Sequence, residues 1–124
     1  MALSLTPHML VAAYEYLRTT PPFRGWKLPE ADDIEFQVTG HSDREGHYTR
    51  WIGTDHHFIC ISGKRIAFTD SLMQAMAHEM IHLRQALART ETPNTEHNSE
   101  FKTIARRACA VHGWDPYVFT GAPL

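Results

Sequence analysis

The sequence predicts an α+β domain, in which a helix leads into a small antiparallel sheet and two further helices follow. Three observations carry this: a capped amphipathic segment near the start, short alternating apolar–polar runs between residues 34 and 68, and two long segments with helical periodicity after residue 69. At 124 residues, with 43% hydrophobic and 21% charged residues, the chain suits one domain around one core.

The N-terminal helix falls within residues 1–20. Thr6 supplies a hydroxyl N-cap and Pro7 occupies the first helical position. Met9, Leu10, Ala13, Tyr14 and Leu17 recur at helical spacing until Pro21-Pro22 ends the element. The connecting segment from Phe23 to Asp33 brings Trp26 and Leu28 to one end of the core. The sheet spans residues 34–68 in three to four antiparallel strands. Ile34-Glu35-Phe36-Gln37-Val38 alternates as a half-buried strand should, Tyr48–Ile52 and His57–Ile61 are the second and third, and Arg65–Phe68 follows a tight turn at Ser62-Gly63-Lys64. The charged run from Gly40 to His47 is an exposed loop.

Thr69-Asp70-Ser71 offers N-cap side chains for a helix over residues 70–89, with Leu72, Met73, Met76, Met80, Leu83 and Leu87 as its apolar face. After a loop holding Pro93, a C-terminal helix spans 96–112 with Phe101, Ile104, Ala108 and Val111 inward, and Gly113 stands where a left-handed cap is needed. The tail, 113–124, is expected to lie irregularly over the surface, and its hydrophobic part, Tyr117–Leu124, is a candidate to occupy the cleft and inhibit.

Composition excludes several functions. A net charge of -2 leaves no basic footprint for nucleic acid or an anionic membrane. No stretch approaches the roughly 18 apolar residues of a membrane span, and Met1–Leu10 lacks the basic start of a signal peptide, so the chain is expected in the cytoplasm. Cys60 and Cys109, the only cysteines, form no CxxC pair; that rules out a cysteine-ligated zinc ribbon and leaves two buried reduced thiols. Nine histidines are the departure from ordinary usage.

Three of those histidines form a pattern. His78-Glu79-Met80-Ile81-His82 lies in the middle of the second helix, where positions four apart share a face. Two imidazoles can then address one ion, and Glu79 stands on the adjoining side as general base. A zinc ion lowers the pKa of its water to about 7, within reach of a carboxylate. A stable site needs a third ligand from another element. His97, fifteen residues on, leads, with Glu100 and Glu96 as rivals; helical spacing puts His97, Glu100 and Phe101 on one side and turns Glu96 away by about 100°. Met76 and Met80 are core residues, not sulfur ligands.

HEMIH, followed by His97-Asn98-Ser99-Glu100-Phe101, resembles the SprT-like zinc metallopeptidases, whose third ligand is the histidine of an H-[GN]-x-x-[FW] motif. Trp26-Lys27-Leu28-Pro29 and Phe68-Thr69-Asp70-Ser71-Leu72 are similar to flanking parts of that family, so the likeness runs discontinuously over residues 21–111. The resemblance implies a minimal zincin-like domain, Zn²⁺ held by His78, His82 and His97, Glu79 as catalytic acid/base, and a protein or peptide substrate. Larger members carry a zinc ribbon or other DNA-binding parts, which these residues lack, so a role on DNA-crosslinked proteins is unsupported.

Further expectations follow from the chemistry. A strand, for which His57–Ile61 is the candidate, pairs with extended substrate. Tyr117, His112, Arg106 and His57 are candidates for stabilising an oxyanion. Glu100, Asn98 and Asp115 are available to accept the second N–H of a ligating histidine. Two other functions fit the same residues: a zinc-binding interaction module with little or no activity, and hydrolysis of a non-peptide bond.

Overall fold

The computed structural model describes residues 5–40, 45–50, 56–63 and 69–120. Its first helix, α1 (Pro7–Arg18), begins as its sequence dictates: the Thr6 hydroxyl accepts from the Met9 amide at 3.3 Å, and proline takes the first turn. Leu10, Ala13, Tyr14 and Leu17 form the buried stripe. Glu15 on the flank accepts from the Ala31 amide at 2.8 Å, tying the connecting segment down. Leu28 is buried there and Trp26 half-buried against the core, as expected.

A turn of 3₁₀ helix (Ala31–Asp33) leads into β1 (Ile34–Thr39), followed by β2 (Gly46–Arg50) and β3 (His57–Ser62). The sheet is mixed, not antiparallel. Its order is β1-β3-β2, with β1 parallel to β3 (Ile34 opposite His57) and β2 antiparallel to it (Gly46 opposite Ile61). Alternation in a sequence reports which face of a strand is buried; it carries no information about the direction of the neighbour. Hydrophobicity explains the order. β3 is buried along almost its whole length and takes the centre, where both of its edges are paired; β1 and β2, more exposed, flank it. The expected strand Arg65–Phe68 lies outside the described residues, as do Trp51 and Ile52 of the second.

The long helix α2 (Thr69–Ala88) is the central element, touching α1, the sheet and both later helices. It starts at Thr69, so its cap falls outside the described residues. Leu72, Ala75, Met76, Ala77, Met80, Ile81, Leu83 and Ala86 are all buried, nearly all round the helix, each large one worth roughly 1.5–3 kcal/mol. Leu87, expected inward, is exposed because the helix is by then leaving the core.

α3 (Ser99–His112) starts later than periodicity suggests. Asn98 caps it, accepting from the Phe101 amide at 3.0 Å, and so ends the loop there. Phe101, Ala105, Ala108 and Cys109 are buried, Ile104 is half-buried, and Val111 is exposed. Gly113 is left-handed, at φ 77°, as its place required. The tail is not irregular throughout: α4 (Pro116–Thr120) docks on α2 and α3 through Phe119. Cys60 and Cys109 are free and buried, and burial pushes the Cys109 thiol up to about 11. No helix among the described residues is long and apolar enough to cross a membrane.

Candidate metal centre

Three histidines from two elements converge. The nitrogen atoms that His78, His82 and His97 can each offer lie within 4.8 Å of one another. His78 and His82 come from successive turns of α2. His97 comes from the loop, immediately before the Asn98 cap, and not from the first turn of a helix; the helical spacing argument therefore does not apply to it. The rivals for third place lie outside the trio. Glu96 is exposed, though near enough for its charge to act on His97 and His78. Glu100 is also exposed and accepts from the Thr90 hydroxyl and the Gln85 amide, bonds that hold its carboxyl below the usual carboxylate range.

Phe101 forms the floor. Its ring stacks on His97 (4.3 Å between centroids, 16°) and His82 (4.7 Å, 30°) and meets His78 edge-on at 5.0 Å. Fully buried itself, it removes water from one side of all three imidazoles. Burial first, and then repulsion from the other two histidines, pushes His78 down to about 3; burial and His97 push His82 down to about 4; burial lowers His97. All three are neutral near pH 7, the state in which an imidazole has a lone pair to give.

The orientation of His78 is settled by a group the sequence does not mark. Its Nδ1 lies 3.2 Å from the Phe119 carbonyl oxygen. A carbonyl only accepts, so Nδ1 carries the proton and Nε2 carries the lone pair. The acceptor is thus a backbone oxygen of α4, in place of Glu100, Asn98 or Asp115; Asn98 is engaged in capping, and Asp115 accepts from the Tyr117 amide at 2.8 Å. Because Nδ1 and Nε2 are on opposite sides of the ring, α4 stands behind His78 and not across the cluster; residues 121–124 of the expected inhibitory tail lie outside the described residues.

The donor set fits a tetrahedral cation. Zn–N bonds of about 2.05 Å place neighbouring ligand nitrogens roughly 3.3 Å apart, and His78 Nε2 is 3.1 Å from His97 Nε2. His82 Nε2 is buried without a hydrogen-bond partner among the described residues, an arrangement that costs roughly 1–3 kcal/mol unless something takes the lone pair. Three nitrogens match zinc's preference and leave a fourth position for water or substrate.

Glu79, 5% exposed, faces the sheet beside this cluster. A Cβ added at Gly46 would lie 3.5 Å from Glu79 Oε2, 3.0 Å from Ile61 Cδ1 and 2.7 Å from the Cys60 carbonyl oxygen. Only glycine lets β2 approach this closely. Gly46→Ala is expected to destabilise the fold by about 1–3 kcal/mol through overpacking, measurable as a lower midpoint in thermal or urea unfolding.

Two other expected site residues, His57 and His112, are bonded elsewhere. β3 has partners on both sides, so the rim strand expected at His57–Ile61 has no backbone groups left for a peptide. Among the described residues β2 is the edge on that side. His57 is buried and bonds Tyr48 through Nδ1 at 2.7 Å; its pairing partner Arg50 donates to the Ala86 carbonyl, which places that end of the strands about two turns beyond Glu79 along α2. His112 Nε2 sits 2.9 Å from the Pro21 carbonyl, its ring stacked on Trp114. Arg106 and Tyr117 are exposed.

A cavity of about 400 Å³ borders the cluster, lined by His82, Gln85, Glu91, Thr92, Asn94, Thr95 and Glu96. A larger one, about 750 Å³, opens between Pro29, Ile34, His57 and Leu87 and touches none of the three histidines. Size alone favours the second, but the convergent chemistry is at the first. Comparison with models of known protein families and with curated proteins yields no match for this chain.

Proposed function

We propose that this chain is a zinc-dependent metallopeptidase of the SprT-like, zincin-like kind, acting on a protein or peptide substrate. The observation that carries the reading is the convergence of His78, His82 and His97 within 4.8 Å, half-buried and neutral, with Glu79 one residue from the first of them. Zinc, when bound there, supplies Lewis acidity to a water and to the scissile carbonyl. The residues do the rest. Phe101 keeps one side of the imidazoles dry, and the Phe119 carbonyl holds His78 in its donating tautomer. Glu79 accepts the proton of the attacking water and passes it to the leaving amine nitrogen. The outer edge of β2, beside Glu79, takes the substrate-pairing role first assigned to His57–Ile61, offering backbone N–H and C=O groups to an extended chain.

Purified protein is expected to carry about one zinc per chain by elemental analysis and to cleave casein or a peptide library until a chelator removes the metal. Metal-free protein, or cleavage that persists after chelation, overturns the reading. One observation favours a second function, a zinc-binding module without turnover: His57 and His112, two of the expected oxyanion donors, are hydrogen-bonded to Tyr48 and to the Pro21 carbonyl. Stoichiometric zinc with no cleavage across broad panels is its signature.

A further inference from the structure

Gln85 is 1% exposed, on a helix whose other buried positions are almost all apolar. A buried amide is costly unless its hydrogens are paired, so its presence calls for a reason. It lies three residues after His82 and therefore on the same flank of α2, facing the loop that carries His97. Both hydrogens of its amide nitrogen are used there: Nε2 donates to Asn98 Oδ1 at 2.8 Å and to Glu100 Oε1 at 3.0 Å.

Asn98 is the immediate neighbour of His97 and the cap of α3. Its Oδ1 also accepts from the Phe101 amide at 3.0 Å, and its Nδ2 donates to the Thr90 carbonyl at 3.0 Å and to Thr92 Oγ1 at 2.9 Å. The loop turns at two left-handed residues, Arg89 and Asn94 (φ 57° and 61°), where local backbone bonds close the end of α2 and the turn at Thr92–Thr95. The side-chain bonds that attach Asn98 and Glu100, at the far end of this loop, to α2 pass through Gln85.

We propose that Gln85 is a positioning residue for His97, clamping the start of α3 to α2 so that the third imidazole meets the two on the helix. This rests on the metal reading above. It goes beyond that reading by assigning the geometry of the site to a side chain that touches no substrate and no ligand atom.

The test is zinc affinity, read by competition with a chromophoric chelator, together with the visible absorption of the cobalt-substituted protein. Gln85→Met keeps the side chain's length and apolar stem and removes both donors. It is expected to weaken zinc about 10- to 100-fold, the range typical of lost outer-shell support, and to dim the cobalt bands of a four-coordinate site. Made in a His97→Ala background, the same change is expected to alter affinity by less than about twofold, because Gln85 acts through His97. Wild-type affinity in Gln85→Met overturns the proposal, and so does an undiminished loss in the His97→Ala background, which marks a general structural effect. Gln85→Asn, an amide too short to reach both partners, is measured alongside and judged by the same two criteria, so an insoluble methionine variant does not decide the matter. Wild-type protein that takes up no zinc overturns the metal reading and this proposal together; zinc bound equally by wild type and variants overturns this one alone.

Discussion

Glu79→Gln is expected to keep its zinc and its fold while losing about 10²- to 10⁴-fold in hydrolysis. The substitution is nearly isosteric. It removes a carboxylate that is 5% exposed and leaves an amide of the same shape, so the close approach of Gly46 to this side chain survives. The amide cannot accept a proton from water at neutral pH, so the general-base step is lost while the three imidazoles are untouched. Metal analysis, thermal unfolding and a cleavage assay on one preparation separate these effects. Cleavage at the wild-type rate, with zinc retained, rules out the role given to Glu79. Loss of zinc together with activity points instead to Glu79 as a support of the site.

Removing residues 116–124 is expected to weaken the site instead of opening it. Phe119 is 5% exposed, and its ring contacts those of His78 and Trp114 at 5.6 and 5.8 Å. Losing such a side chain costs about 3–5 kcal/mol. Its carbonyl also fixes the tautomer of His78, and loss of a partner of that kind typically costs 10- to 100-fold in metal affinity. Phe119→Ala separates the two effects, because it empties the apolar contact but retains the carbonyl. It is expected to lower the unfolding midpoint much as truncation does, with a smaller loss of zinc affinity. An increase in cleavage on truncation, with affinity unchanged, supports the inhibitory role expected of the tail instead.

Legibility differed from element to element for identifiable reasons. The pairing of His78 with His82 was visible because it is local: four residues of any helix bring two side chains to one face. The cap at Thr6, the buried stripe of α1 and the left-handed turn at Gly113 were visible for the same reason, each depending on a few neighbouring residues. His97 was found as a residue but misplaced as a structure. Helical periodicity extends the C-terminal helix back to Glu96, whereas the Asn98 cap, reinforced by Gln85, starts it at Ser99.

The sheet shows the limit from the other direction. Alternation identified β1, and residues 57–61 were correctly placed on a strand; the expectation that they form the rim failed because strand order depends on which run is most apolar across the whole domain. Gly46 sat unremarked in a charged loop, since nothing local says that a helix carboxylate approaches it. The Phe119 carbonyl left no trace at all, a backbone oxygen being chemically the same in every residue.

The sequence by itself therefore determined the chemistry on offer: two imidazoles and a carboxylate within five positions of one helix, a third histidine after a loop, and an apolar ring at Phe101. Tertiary structure alone decided how that chemistry is aimed. It set the lone pair of His78 by a hydrogen bond from behind, brought His97 in through a clamped loop, and placed β2 against Glu79. Spacing within a helix follows from 3.6 residues per turn, whereas these contacts join residues 13 to 41 positions apart and exist only once the core has brought the elements together.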